Sequence, residues 1–135
     1  MRRWAAANCE AIVHNAASLT FYSEGPDTEP WLSNLNGTRN LLEFAREGGI
    51  RQFHHVSTAY VCGKRRGLIL ESDLDDSHGH GNDYEISKFQ AEQLVRQADF
   101  IDKPTIYRPG IIFGDAQTGY TTTYHGFYVP LKLVL

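Results

Sequence analysis

The apolar positions change period along the chain, and each change marks an element. Glu10-Ala11-Ile12-Val13-His14 is a short apolar run entering the small residues Asn15-Ala16-Ala17-Ser18, the pattern of a buried strand that ends in a loop. Gly25-Pro26-Asp27 and Pro30 make residues 23–30 a connection. From there Trp31, Leu35, Thr38, Leu42 and Ala45 step by four and three, which predicts a helix with one apolar stripe. Asn36-Gly37 taken alone is a hairpin signal, but the stripe runs through it, so the helix is expected to continue until Gly48-Gly49 stops it. Ile50 to Val56 gives a second strand, ending in Ser57-Thr58. Residues 59–81 hold no sustained period and are rich in Gly, Asp, Ser and His; they read as a long excursion, with a short strand at Leu68-Ile69-Leu70. Asn82 followed by Glu85 is a capping-box helix start, and the helix should end near Asp99. Pro104 to Arg108 is the third strand, stopped by Pro109-Gly110. Gly114 to Tyr124 is loop-like, and Tyr128 to Leu135 is apolar.

Strand, helix, strand, helix, strand is the order that builds a parallel sheet through crossover connections. In such sheets the site lies at the carboxyl ends of the strands. Asn15-Ala16-Ala17, Ser57-Thr58 and Pro109-Gly110-Ile111 all fall there, and the helix that begins at Asn82 starts from the same side. Tyr84 and Lys88 stand four residues apart on it, so their side chains point the same way. A phenol ordinarily titrates near about 10, and a nearby ammonium favours the phenolate. The pair therefore suits proton exchange with a carbonyl or an alcohol.

Composition narrows the function. The chain has 135 residues, 41% hydrophobic and 21% charged, which fits one globular domain. Its net charge of −3 argues against nucleic acid or an anionic membrane as the main partner. No apolar stretch reaches the length of a membrane span, and no signal-peptide core follows Met1-Arg2-Arg3-Trp4. Cys9 and Cys62 have no metal-type spacing and read as free thiols in a reducing cytoplasm. His78-Gly79-His80 lacks a third ligand at useful spacing, so no metal site is expected. His54 and His55 are neighbours on a strand and should face opposite ways. A Gly-x-Ser-x-Gly elbow is absent, which removes the hydrolase reading of Ser57.

With those residues in view, the chain resembles the extended short-chain dehydrogenase/reductase family. The matches run in order: His14-Asn15-Ala16-Ala17; Asn34-Leu35-Asn36-Gly37-Thr38; His55-Val56-Ser57-Thr58-Ala59-Tyr60-Val61 with Gly63; Tyr84 to Lys88 with Ala91-Glu92; and Arg108-Pro109-Gly110 with Gly114. Val56 to Val61 resembles the thioester-reductase and fatty-acyl-reductase branch, which reduces acyl thioesters with NADPH. The resemblance implies an NAD(P)-binding Rossmann-like α/β fold: a parallel sheet in three layers, incomplete here, with a substrate lobe beginning after about residue 114. It implies NADP as cofactor, with NAD as the alternative, and a small-molecule carbonyl or carrier-bound acyl substrate. Tyr84 would be the general acid, with Lys88 lowering its pKa and bonding the nicotinamide ribose. Thr58 would hold the substrate oxygen, Ser57 being the competing hydroxyl, and Asn34 would support a proton relay toward Lys88. Asn15, Ala16 and Ala17 would border the cofactor, and Pro109, Gly110 and Ile111 would face the nicotinamide. Nucleotide-sugar epimerases and dehydratases of the same family share the Thr/Tyr/Lys arrangement and stay open as an alternative.

One family feature is missing. The chain contains no Gly-x-x-Gly-x-x-Gly loop, which packs a pyrophosphate on a helix amino end. The expectation is an internal piece of a longer enzyme that by itself binds NADPH weakly and is inactive, or else a non-catalytic remnant. The first strand, unpaired on its outer side, should favour self-association.

Overall fold

Three short strands pair in parallel in chain order: β1 (Ala11–His14), β2 (Gln52–Val56) and β3 (Thr105–Tyr107). The computed structural model describes residues 2–122 and Tyr128. In the sheet register His14 lies beside His55, and His55 beside Ile106. That row marks the carboxyl end of the sheet.

The helix expected from Trp31 forms in two parts. Residues Trp31–Asn36 make a wide turn in which the Gly37 N–H reaches back five residues to the Leu32 carbonyl. It runs straight into α2 (Gly37–Gly48), so the Asn36-Gly37 hairpin signal loses to the apolar stripe. Gly49, at φ 68°, takes the left-handed conformation that ends the helix, with Ile50 N–H bonding the Ala45 carbonyl at 2.9 Å. The next helix, α3 (Asp83–Gln97), starts as its capping residues predict. Asn82 Oδ1 accepts from the Glu85 N–H at 3.0 Å, and the Glu85 carboxylate accepts from the Gly81 N–H at 2.7 Å.

One additional helix, α1 (Arg2–Asn8), precedes β1 and is not foreshadowed by the sequence pattern. Ala5-Ala6-Ala7 carries high helix propensity but no stripe to read. The short strand expected at Leu68-Ile69-Leu70 does not form. Leu68 is 82% exposed, and these residues pair with no strand among the described residues. Apolar β-formers without a neighbour to bond stay irregular.

Leu42 and Ala45 of α2, Val95 of α3, Phe53 of β2, Ala5, Ile50 and Ile101 form one core, with Ile12 and Ile106 packed on it. The inward face of the sheet is thus covered by helices. On the other face Val13 is 68% exposed, and His54 stacks on Tyr107 at 6.1 Å. The described residues supply the parallel sheet and one helical layer of a three-layer Rossmann-like arrangement. Most of the expected substrate lobe, including residues 129–135 of the apolar run that begins at Tyr128, lies outside the described residues.

Candidate active site

Thr58 leaves β2 in extended conformation (φ −155°, ψ 153°), and its hydroxyl caps the single 3-10 turn Ala59–Cys62 by accepting from the Tyr60 N–H at 3.3 Å. The same hydroxyl stands near enough to the Tyr84 phenol, at the first turn of α3, to favour its ionised form. The β2–β3 ladder continues past the strands: Ser57 N–H bonds the Tyr107 carbonyl at 2.7 Å, and Ala59 N–H bonds the Pro109 carbonyl at 2.9 Å. Thr58, Tyr84 and the Pro109 turn therefore meet at one end of the sheet. Gly110 and Ile111 are exposed beyond it, as are Asn15, Ala16 and Ala17 past β1.

Lys88 is only 2% exposed, and its Nζ donates to the Val56 carbonyl at 2.7 Å. Burial lowers its pKa to about 8, with the Glu92 carboxylate partly opposing the drop. The phenol moves the opposite way from the sequence expectation. Burial raises the Tyr84 pKa, the Tyr60 phenol adds to the rise, and the Thr58 hydroxyl pulls down without cancelling it. The cause is physical: Lys88 gives its hydrogen bond to the Val56 carbonyl, and desolvation of the ring outweighs the rest. Phe21 contributes to that desolvation, set edge-on to Tyr84 at 6.0 Å. It is held there because the Phe21 carbonyl accepts from the Asp83 N–H at 2.9 Å, while Ser23 N–H and Oγ donate to the Asp83 carboxylate.

Ser57 and Thr58 part company. Ser57 Oγ donates to Glu92 at 2.7 Å, inside the protein. Asn34 is 1% exposed and fully engaged. Its Oδ1 accepts from the Ser18 N–H at 2.8 Å, and its Nδ2 donates to the Ser18 carbonyl and to Ser87 Oγ. Ser87 in turn donates to the Tyr84 carbonyl at 2.8 Å. Asn34 thereby ties the loop after β1 to the first turn of α3.

Several residues beneath the site were not singled out for a role from sequence. Thr38 gives its one hydroxyl proton to the Asn34 carbonyl at 2.6 Å, so His14 Nε2, 2.8 Å from the same oxygen, must be the donor there. His55 packs beside His14 at 5.3 Å, and neither of its ring nitrogens has a hydrogen-bond partner among the described residues. Burial, the Lys88 ammonium and His14 push its pKa down to about 3. Glu92 is fully buried with Arg96 and Arg108 on it. Its signal was present: Tyr84, Lys88 and Glu92 share one helical stripe, and a carboxylate on an inward stripe requires buried partners.

The exposed strand ends beside Tyr84 and Lys88 fit the nicotinamide end of a dinucleotide. Nζ of Lys88 keeps two protons beyond the one given to Val56, and Gly110 has open space where a Cβ would stand. No Gly-rich phosphate loop exists in the sequence to hold the other end.

Comparison with known proteins adds the following. The family described as Male sterility protein matches residues 1–134. A 4-hydroxy-2-methyl-3-oxo-4-farnesyl-3,4-dihydroquinoline-1-oxide ketoreductase of Stigmatella aurantiaca is 35% identical over 119 residues, covering 84% of this chain and 34% of that protein. The crystal structure of the terminal R domain from the myxalamid PKS-NRPS biosynthetic pathway superposes with a TM-score of 0.75 at 30% identity, over 90% of this chain and 31% of that one. UDP-glucuronic acid 4-epimerase from Bacillus cereus, in complex with NAD, gives 0.67 at 25% identity, over 86% of this chain and 37% of that one. The chain spans about a third or less of the length of the curated relatives it matches.

Proposed function

We propose, from the premise that the chain belongs to the Male sterility protein family of NAD(P)-binding extended short-chain dehydrogenase/reductases, that it carries the reacting groups of an NADPH-dependent reductase of acyl thioesters or related carbonyls. The observation that carries the reading is the meeting of the Thr58 and Tyr84 hydroxyls at the carboxyl end of β2, with Lys88 one helical turn on. The thioester-reductase-like character of its relatives, which include fatty acyl-CoA reductases, supports the substrate class.

In this reading Tyr84 holds the proton that the carbonyl oxygen receives. Its raised pKa keeps the phenol protonated at neutral pH, which suits a donor. Thr58 bonds the same oxygen and steadies charge that develops there. Lys88, largely charged at neutral pH, and Tyr84 would hold the nicotinamide ribose, with Asn15, Ala16, Ala17, Pro109, Gly110 and Ile111 on either side. The bound cofactor supplies the hydride; a thioester so reduced releases its thiol and leaves an aldehyde. Phe21 packs edge-on against one side of the phenol.

The likeness to an NAD-complexed epimerase favours a second reading, in which the same three groups would take and return the proton of a sugar hydroxyl while a bound NAD would accept and give back the hydride. One experiment separates the two. The chain is joined to a relative's Gly-rich phosphate-loop unit, supplied with excess NADPH and an acyl-CoA, and aldehyde formation is followed for wild type and Tyr84→Phe. NADPH-dependent aldehyde that falls by about 100-fold or more in Tyr84→Phe is expected. Equal rates in the two proteins, or interconversion of a UDP-sugar with no aldehyde, would overturn the reductase reading.

A further inference from the structure

Glu92 lies on the inward stripe of α3, one turn beyond Lys88, and its side chain is fully buried. Burying a carboxylate is costly unless its oxygens are met by donors. Here they are. Ser57 Oγ donates to Oε2 at 2.7 Å, Arg96 Nε to Oε1 at 2.9 Å, and Arg108 reaches both oxygens, with Nη2 to Oε1 at 2.7 Å and Nε to Oε2 at 3.1 Å. Burial alone would raise its pKa, but the bonds and charge of Arg108, with Ser57 and Arg96, hold it below the usual carboxylate value.

The donors come from different places. Ser57 is the residue before Thr58, and Arg108 is the residue before Pro109. Both guanidiniums continue outward onto the 59–81 excursion: Arg96 to the Glu71 carbonyl at 2.8 Å, Arg108 to the Asp73 carbonyl at 2.7 Å. One carboxylate therefore joins α3, the ends of β2 and β3, and the excursion. A buried ionic cluster is a weak route to stability, since apolar packing of the same volume often does as well. Its distinctive effect is on direction. Successive side chains of an extended chain point opposite ways. With Ser57 fastened on Glu92, Thr58 is turned away from that carboxylate and lies buried beside the Tyr84 phenol.

We propose that Glu92, acting through Ser57 and Arg108, is a positioning residue that sets the rotation of the β2 end and so aims the Thr58 hydroxyl at Tyr84. The inference rests on the reading of Thr58 and Tyr84 as the reacting pair, but its test does not need turnover.

The Tyr84 ring carbon bearing the hydroxyl is followed by NMR through a pH titration, in wild type, Thr58→Ala, Ser57→Ala, Ser57→Thr and Glu92→Gln. Backbone amide exchange is measured in the same proteins. Thr58→Ala sets the full upward shift of the phenol when the Thr58 hydroxyl is gone. Ser57→Ala and Glu92→Gln are expected to move Tyr84 in that direction and to speed exchange at Ala59 and Tyr60 by about tenfold, leaving Leu42 and Ala45 of α2 unchanged. Ser57→Thr, which keeps the hydroxyl, should restore both signals. An unmoved Tyr84 titration in Ser57→Ala, or exchange that rises equally at the α2 amides, would overturn the positioning role. Should Glu92→Gln not fold, the Ser57 pair decides alone. Failure here leaves the reductase reading to the Tyr84→Phe assay, and loss of that reading leaves this geometry standing.

Discussion

His55 makes acid a specific threat to this fold. Its imidazole is 0% exposed, both ring nitrogens lack partners among the described residues, and Lys88 and His14 stand close enough to oppose a second positive charge. The folded-state pKa of about 3 lies well below the ordinary 6.5 of an unfolded chain. Between those values the unfolded state binds the proton and the folded state does not. Stability therefore falls as pH drops through that window. From pH 7 to pH 5 the unfolded ring becomes almost fully protonated while the folded ring stays neutral. The loss assigned to this one group is about 2 kcal/mol, from about 1.5 pH units at about 1.4 kcal/mol each.

Replacing His55 by Leu removes the titration and the two unpartnered nitrogens, which cost about 1–3 kcal/mol when buried without a partner. Urea unfolding of wild type and His55→Leu at pH 7 and pH 5 tests the argument. The variant should be at least as stable at pH 7 and should lose about 2 kcal/mol less on going to pH 5. His14, whose pKa burial and Lys88 also lower, titrates in both proteins and so drops out of the difference to first order. Equal acid losses in the two proteins would show that the His55 ring is hydrated or paired in the folded state, and the reasoning fails.

Lys88→Met should raise stability at pH 7 by about 1–2 kcal/mol, because a buried ammonium shifted from 10.5 to about 8 carries a desolvation cost. The gain should shrink between pH 8 and pH 10.5, as the folded lysine sheds its proton before the unfolded one; thermal unfolding at stepped pH reads it. Gly63→Ala should cost about 2 kcal/mol or more, since Gly63 sits at φ 57°, ψ −139° and an added Cβ would collide with the Gly79 carbonyl oxygen. Gly67→Ala, with left-handed φ but open space, should cost less in the same denaturation series. The outer edge of β1 has no strand beside it among the described residues and Val13 is exposed, so light scattering should show self-association that an added Lys at Val13 reduces.

The elements that were legible in the sequence are those whose signal is local. Asn82 and Glu85 cap α3 where a capping box must. The Trp31-to-Ala45 stripe outweighed a turn dipeptide because burial of a whole face exceeds one local preference. Leu68-Ile69-Leu70 misled because strand-forming residues need a neighbour that no local pattern supplies. The same divide runs through the site. Four-residue spacing put Tyr84 and Lys88 on one side of a helix, yet it could not say how dry the phenol would be, and the dryness reversed its pKa shift. The family resemblance favoured Thr58 over Ser57, but nothing local to the two hydroxyls foretold that Ser57 would be bound to Glu92, thirty-five residues along the chain.

Energetics also bears on whether the chain reads as an enzyme segment or as a remnant without chemistry. Lys88, His55 and Glu92 are buried polar groups packed under one end of the sheet. The first two carry desolvation that apolar residues of similar size would not, and the third needs two arginines and a serine to be tolerated. A fold optimised only for its own stability gains by replacing them. Their placement within a turn or two of the Thr58–Tyr84 contact is what a proton-handling site requires, since charge must be available where water is scarce. The stability gain expected for Lys88→Met, set against the loss of aldehyde formation expected for Tyr84→Phe, is therefore one argument measured from two sides. A Lys88→Met protein that was both no more stable and no less active would remove the reason for holding an ammonium in the interior.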